Sequence, residues 1–345
     1  MKLVRNLALA AMTAALALAF AAPAMGQAKH TLKLNSQWPA TTAGSKIDQW
    51  FADEVKKRTN GEVEIRIFWS EALGKAAENL TLMQKGAIEM GAMSPGYFPK
   101  QLPFHAAPNS VPMAMTTVKQ ANVLMTRLAA EVPAFREEGK ANGVRALFFH
   151  HLNPYLLVSR EPLVTYEQLK GKKIRTWGTD MPRMAQAAGM TPVTLSLPEI
   201  YESLGRGVVD SAPFSVDLVM NYKIYEVAKN ISEVTLWLGP SWGVWISEPA
   251  WEKLSPAQQK VMEEVAAEAR ERDYVATIEA EKTAREELKK RGVVFLPFPE
   301  AERQKWVAAQ PDFFADFIVE MEKSGKGADA RKAVAIWKDV QTNVR

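Results

Sequence analysis

The sequence predicts an α/β fold in two lobes, and three observations carry that prediction. Strand-like and helix-like segments alternate along the chain with short connections, the pattern of layered α/β architectures with parallel sheets. One helix-to-strand pattern occurs twice, far apart. One helical run is longer than a small domain is wide. At 345 residues the chain is also long enough to divide into more than one domain.

In chain order, Lys2 and Arg5 open the sequence, Leu7 to Ala22 are apolar and uncharged, and small residues follow to Ala28. This predicts a cleavable signal peptide over residues 1–28, cut after Ala24, Gly26 or Ala28, and hence export to the periplasm. The apolar run is short for a membrane span of about 20 residues. Next, Thr31 to Asn35 and Val63 to Ile67 alternate as strands do. A helix between them shows Ile47, Trp50, Phe51 and Val55 on one face and Gly61 past its end. Further strands are expected at Val144 to His150, Tyr155 to Ser159, Lys172 to Trp177, Pro192 to Ser196 and Trp242 to Ser247.

The repeated pattern is Lys85-Gly86-Ala87-Ile88-Glu89 and Arg206-Gly207-Val208-Val209-Asp210. Each places a basic residue at a helix C-terminus, a glycine in the left-handed cap, and an acid after the first residues of an apolar strand. The long helix is expected from a capping Ser255, with Pro256 in the first turn and Gln258 in the capping-box position, to Arg291, with Gly292 as its stop. At 1.5 Å per residue it spans roughly 50 Å, enough to brace both lobes and limit their hinging.

Composition excludes several functions. The net charge is +4, and loss of Lys2 and Arg5 would leave a nearly balanced chain. Its basic residues are interleaved with acids instead of clustered for nucleic acid or membrane. With no cysteine there is no disulfide scaffold, thiolate metal site or cysteine nucleophile, and no lipid-anchored cysteine. Gly-x-Ser-x-Gly, His-Glu-x-x-His and phosphate-loop motifs are missing. His150 and His151 are neighbours on a predicted strand, so they should face opposite ways, one packed and one exposed. Carboxylates sit mostly beside Lys and Arg as solvated pairs, and no isolated pair in an apolar setting stands out. No metal site or cofactor is expected.

What stands out is Lys173-Ile174-Arg175-Thr176-Trp177. Arg175 and Trp177 share one strand face near the C-terminal end, where open α/β sheets bind ligands, and a guanidinium fork suits a carboxylate. Trp38, Tyr97, Tyr155, Phe214 and Trp242 also fall after strands or at turns.

Leu169 to Arg175, Thr191-Pro192-Val193, Glu199-Ile200-Tyr201, Gly207 to Asp210 and Lys223 to Val227 together resemble the solute-binding subunits of tripartite ATP-independent periplasmic (TRAP) transporters, of the C4-dicarboxylate-binding type. Ala52 to Gly61, Leu73-Gly74 and Gly86 to Glu89 agree, so the resemblance covers essentially the whole mature chain. It implies a two-lobed periplasmic binding protein fold with the ligand cleft between the lobes and a long helix spanning both. Lobe I is then expected at 29–151 plus 240–279, and lobe II at 152–239 plus 280–345. It further implies a monomer without cofactor that captures a small organic acid and delivers it to an ion-gradient-driven permease, with Arg175 binding the carboxylate. A periplasmic enzyme acting on an organic acid and a ligand sensor for a membrane receptor are the alternatives.

Departures from the family pattern bear on the ligand. Ser211-Ala212-Pro213-Phe214 stands where Gly-Gln-Glu-Asn is common, Asn153-Pro154-Tyr155 where many members carry a second arginine, and Ser94 and Tyr97 where some sugar-acid binders have Glu and Arg. A ligand rich in charge would leave polar groups unpaired there, at about 1–3 kcal/mol each. The expectation is a monocarboxylate with an apolar, even aromatic, body. Arg175 holds the carboxylate, Trp177, Phe214, Tyr155 and Trp242 pack the body, and Trp38, Gln37, Ser94, Tyr97 and Asn153 line the facing wall.

Overall fold

A computed structural model describes residues 29–345; the expected signal peptide lies outside the described residues. Eleven strands occur there: β1 His30–Ser36, β2 Val63–Phe68, β3 Met90–Met93, β4 Val144–His151, β5 Tyr155–Ser159, β6 Lys173–Thr176, β7 Thr191–Thr194, β8 Ser211–Phe214, β9 Asn230–Trp237, β10 Pro240–Ser247 and β11 Val294–Leu296. They form two sheets, in the orders β2-β1-β3-β10-β4 and β11-β9-β5-β8-β6-β7. The chain passes from the first sheet to the second between β4 and β5 and returns between β9 and β10. Each sheet backs one lobe.

The sheets are mixed, a correction to the parallel expectation. β1 pairs in parallel with β2 and β3, and β6 with β7 and β8. The strands at the crossings run the other way: β10 is antiparallel to β3 and β4, and β5 to β8 and β9. A strand that enters a sheet directly from the other lobe has no crossover helix to reverse it.

The repeated pattern marks equivalent places in the two lobes. Gly86 and Gly207 are left-handed, with φ of 69° and 70°, as a helix stop requires. The acid, however, precedes the strand instead of lying within it. Glu89 Oε2 accepts from the Lys33 backbone N–H at 2.8 Å, and Asp210 Oδ2 accepts from the Lys173 N–H at 2.8 Å. Each carboxylate thus closes an open backbone donor on the neighbouring strand.

The helix Pro256–Lys290 has 35 residues, and Ser255 and Gln258 form the expected capping box. It touches lobe I first. Gln258 Nε2 donates to Glu62 at 2.9 Å, and Arg58 pairs with Glu268 at 2.6 Å. Further on it meets lobe II, where Arg285 pairs with Glu233 at 2.6 Å and lies 4.5 Å over the Phe295 ring. Residues 280–345 were expected to group with lobe II, whereas the final helix, Gly327–Asn343, lies against the helix Val118–Glu131, where Arg127 bonds Asp339.

Candidate functional site

The parallel strands deliver the site. Gln37 and Trp38 follow β1, Ser94 and Tyr97 follow β3, Arg175 lies near the end of β6 and Trp177 just after it, and Tyr155 begins the antiparallel β5 at the same edge. These seven residues meet around one cavity. Asn109, Leu152, Leu197 and Trp237 complete its wall, four positions the sequence does not single out. Trp237 ends β9 as Trp177 follows β6, so an aromatic at a strand end was the signal available for it.

Arg175 is only 2% exposed. Its Nε donates to Leu195 O at 3.1 Å, its guanidinium lies 4.2 Å from the Trp177 ring centroid, and its Nη1 is buried without a hydrogen-bond partner among the described residues. Burial draws its pKa below the usual range, yet an arginine stays cationic. A buried cation with an open donor is chemically suited to an anion. Trp38 Nε1 is a second buried donor, and Gln37 Oε1 a buried acceptor, both without a partner among the described residues. Tyr155, Trp177 and Trp237 stand edge-on to one another with centroids 5.1 to 5.8 Å apart. They form an apolar box beside the cation.

Three expected residues stand elsewhere. Phe214 is fully buried behind Tyr155, its ring nearly parallel at 6.1 Å. Trp242 stacks on Trp38 at 4.8 Å and so backs the wall. Asn153 is turned away: its Nδ2 donates to Asp217 Oδ1 at 3.0 Å and to Thr277 O of the long helix at 2.7 Å. The second of these bonds ties the crossing segment to the long helix.

Behind Trp242 lies a charged cluster absent from the expectations. His150 stacks on Trp242 at 3.7 Å. Its Nε2 meets Asp48 Oδ1 at 2.9 Å and its Nδ1 meets Asp273 Oδ1 at 2.6 Å. His151 bonds the same Asp273 through its backbone N–H at 2.7 Å and its ring at 2.9 Å. Both histidines are buried, a correction to the expectation of one packed and one exposed. A register shift against β10 at this end of β4 bends the strand so that both rings reach one carboxylate. Asp48 and Asp273 are themselves fully buried, with His150 standing between them.

Burial alone would push His150 down, but Asp273 and Asp48 outweigh it and hold its pKa up at about 9. Burial pushes Asp48 up against His150. Burial also opposes ionisation of Asp273, but its two histidines prevail and hold it well below the usual carboxylate range.

The lobes touch directly across the cleft. Trp177 Nε1 donates to Asn109 O at 2.7 Å, the Leu197 N–H to the Tyr97 hydroxyl at 3.0 Å, Ser110 to Asp180 at 3.2 Å and Tyr222 to Gln37 O at 3.3 Å. The cavity left between them is about 20 Å³, room for a water molecule. The cleft is therefore shut in this structure.

Two lobes closing on a buried arginine define a binding protein of the two-lobed periplasmic kind. The family model described as bacterial extracellular solute-binding protein, family 7, matches residues 34–320, and the chain belongs to that family, the solute-binding proteins of TRAP transporters. Solute-binding protein RD1_1052 of Roseobacter denitrificans is 27% identical over 297 residues, 84% of this chain and 87% of that protein. Among solved structures, a TRAP periplasmic solute binding protein from Desulfovibrio salexigens with bound orotic acid superposes with a TM-score of 0.82 at 22% identity, covering 91% of this chain and 99% of that one. The Bordetella pertussis receptor DctP7, which binds pyroglutamic acid, gives 0.81 at 19% identity over 89% and 99%. The fold is the one expected.

Proposed function

We propose that this chain captures a small monocarboxylate with a compact, flat body in the periplasm and delivers it to a TRAP permease. The observation that carries the reading is Arg175, buried to 2% with Nη1 unpartnered among the described residues and facing a box of aromatic rings. One carboxylate would satisfy Nη1, and the Trp38 N–H is a second donor for it. A second carboxylate would meet Tyr155, Trp177 and Trp237, none of which offers a cation. Gln37 Oε1 is an acceptor for one N–H or O–H on the body.

Orotic and pyroglutamic acids, bound by two of the structural relatives, are rings of this kind. Uronates, bound by others, carry a ring of hydroxyls that the aromatic box would leave unpaired. Family membership favours a receptor over an enzyme. Capture and release by the lobes is the whole of the chemistry proposed.

The test is a thermal-shift and calorimetric screen of ligand-free mature protein against orotate, pyroglutamate, benzoate, succinate and galacturonate. A ligand at a hundredfold excess over its Kd stabilises by about 2.7 kcal/mol. A shift with ring monocarboxylates that disappears in Arg175→Ala is expected. A shift with succinate or galacturonate alone, or one indifferent to Arg175→Ala, would overturn the assignment.

A further inference from the structure

Lobe I holds a second cavity, separate from the cleft, of about 550 Å³. It runs beside the outer strand β4, between the helices of residues 118–141 and the first half of the long helix. Its volume falls in the range of about 300–1,000 Å³ typical of small-molecule sites, whereas the cleft is shut to about 20 Å³. Its floor is aromatic, with Phe135, Phe148 and Trp245 buried and Phe149 half-buried.

Charge on the lining is one-sided. Arg136, Lys140, Arg145 and Arg270 stand against Glu248 and Glu263, an excess of two positive charges. Arg145 reaches Glu248 at 3.3 Å and Arg270 reaches Glu271 at 3.4 Å. The Nε of each is nevertheless buried and unpartnered among the described residues. Arg145, whose guanidinium also lies 4.6 Å over the Trp251 ring, and Arg270 thus border an aromatic floor with open Nε donors, the kind of donor that suits an anion.

We propose that this cavity is a second binding site, for an amphipathic organic anion with one acidic head and a broad apolar body. Arg145 and Arg270 take the head, and Phe148, Phe149 and Trp245 take the body. The site lies within lobe I and the long helix, so its occupancy does not require the lobes to close.

The probe is 8-anilinonaphthalene-1-sulfonate, followed by fluorescence on mature protein well below its thermal transition, with decanoate as competitor. One saturable site displaced by decanoate is expected, weakened at least tenfold by Arg270→Gln and blocked by Ala267→Trp, which fills the rim from an exposed helix position. Arg175→Ala should leave the probe affinity unchanged. Circular dichroism and thermal transitions of the variants report whether each is folded, and Ala267→Trp keeps the test decisive if Arg270→Gln is not. Absence of saturable binding would overturn the proposal. So would binding that Arg175→Ala abolishes while Arg270→Gln and Ala267→Trp spare it, which would place the probe in the cleft.

Discussion

Replacing Asp273 by alanine removes three hydrogen-bond acceptor contacts at once, to the His150 ring, the His151 ring and the His151 backbone. It leaves His150, fully buried, with Asp48 as its only carboxylate contact. Removing one partner of a buried ion pair costs about 3–5 kcal/mol, because the remaining charge stays desolvated. For a chain of this length each kcal/mol moves the melting temperature by about 2 °C, so a fall of about 6–10 °C is expected at pH 7. The pH dependence separates charge from packing. His150 is held at about 9 against an ordinary value of about 6.5. Stability from a raised histidine is complete below 6.5 and is lost as pH rises through about 9. Differential scanning calorimetry of wild type and variant at pH 7 and pH 10 should therefore show the gap shrinking at the higher pH. A variant within about 2 °C of wild type at pH 7, or a gap unchanged at pH 10, would refute the view that His150 is held as a cation between two carboxylates.

Arg175→Lys keeps a charge but loses the planar fork, and ligand affinity measured by calorimetry should fall about ten- to a hundredfold, with a lower melting temperature because the Nε bond to Leu195 O and the stack on Trp177 are lost. Trp38→Phe keeps the stack on Trp242 and deletes the Nε1 donor, so affinity should fall about two- to tenfold, the worth of one neutral hydrogen bond. Gly44→Ala would put a Cβ 2.7 Å from the Trp242 ring and 3.0 Å from His150 Nδ1; overpacking of this kind costs about 1–3 kcal/mol and should weaken ligand binding by displacing the ring behind Trp38. Burial raises the Asp217 carboxyl to about 6, against the hydrogen bond from Asn153. A raised carboxyl favours folding below its unfolded value of about 3.9, and that advantage fades as pH rises through about 6. Asp217→Asn should thus gain on wild type between pH 5 and pH 8 in melting temperature, and a parallel pair of curves would count against it.

What was legible in the sequence was local. Alternation at Thr31 to Asn35 and Val63 to Ile67, the Ser255-Gln258 capping box and the pairing of Arg175 with Trp177 all depend on residues within a few positions of each other, where strand and helix periods act. The cluster behind the site depends on separations of 102 and 123 residues, between His150 and Asp48 or Asp273. Asp273 follows Arg272 in a helix full of charge, so its sequence neighbourhood reads as a solvated face. Only tertiary packing turns it inward. The reading of Asn153 failed in a similar way. A polar residue at the lobe crossing looks like a cleft residue until the long helix supplies Thr277 O as its acceptor. The mixed sheets escaped for a different reason: strand direction is set by which lobe the chain arrives from, and no local period encodes that.

The two ties from the crossing segment to the long helix, at Asp273 and Thr277, are one helical turn apart and on one face. Lobe I contacts at Gln258 and Glu268 precede them along the helix, and the lobe II contact at Arg285 follows. With the lobes in contact, Arg175 of lobe II stands by Tyr97 of lobe I and its guanidinium is buried. That burial costs free energy, visible in the lowered pKa of Arg175, and it opposes the cross-cleft hydrogen bonds from Trp177, Leu197, Ser110 and Tyr222. A carboxylate bound at Nη1, as proposed, would offset this cost only in the closed form, where the donor is sealed from water. Its differential affinity for the two forms is what shifts their balance. On the proposed reading the same buried arginine would select an anion and make closure depend on it, whereas a solvent-exposed arginine would bind the anion about equally well in both forms and shift nothing.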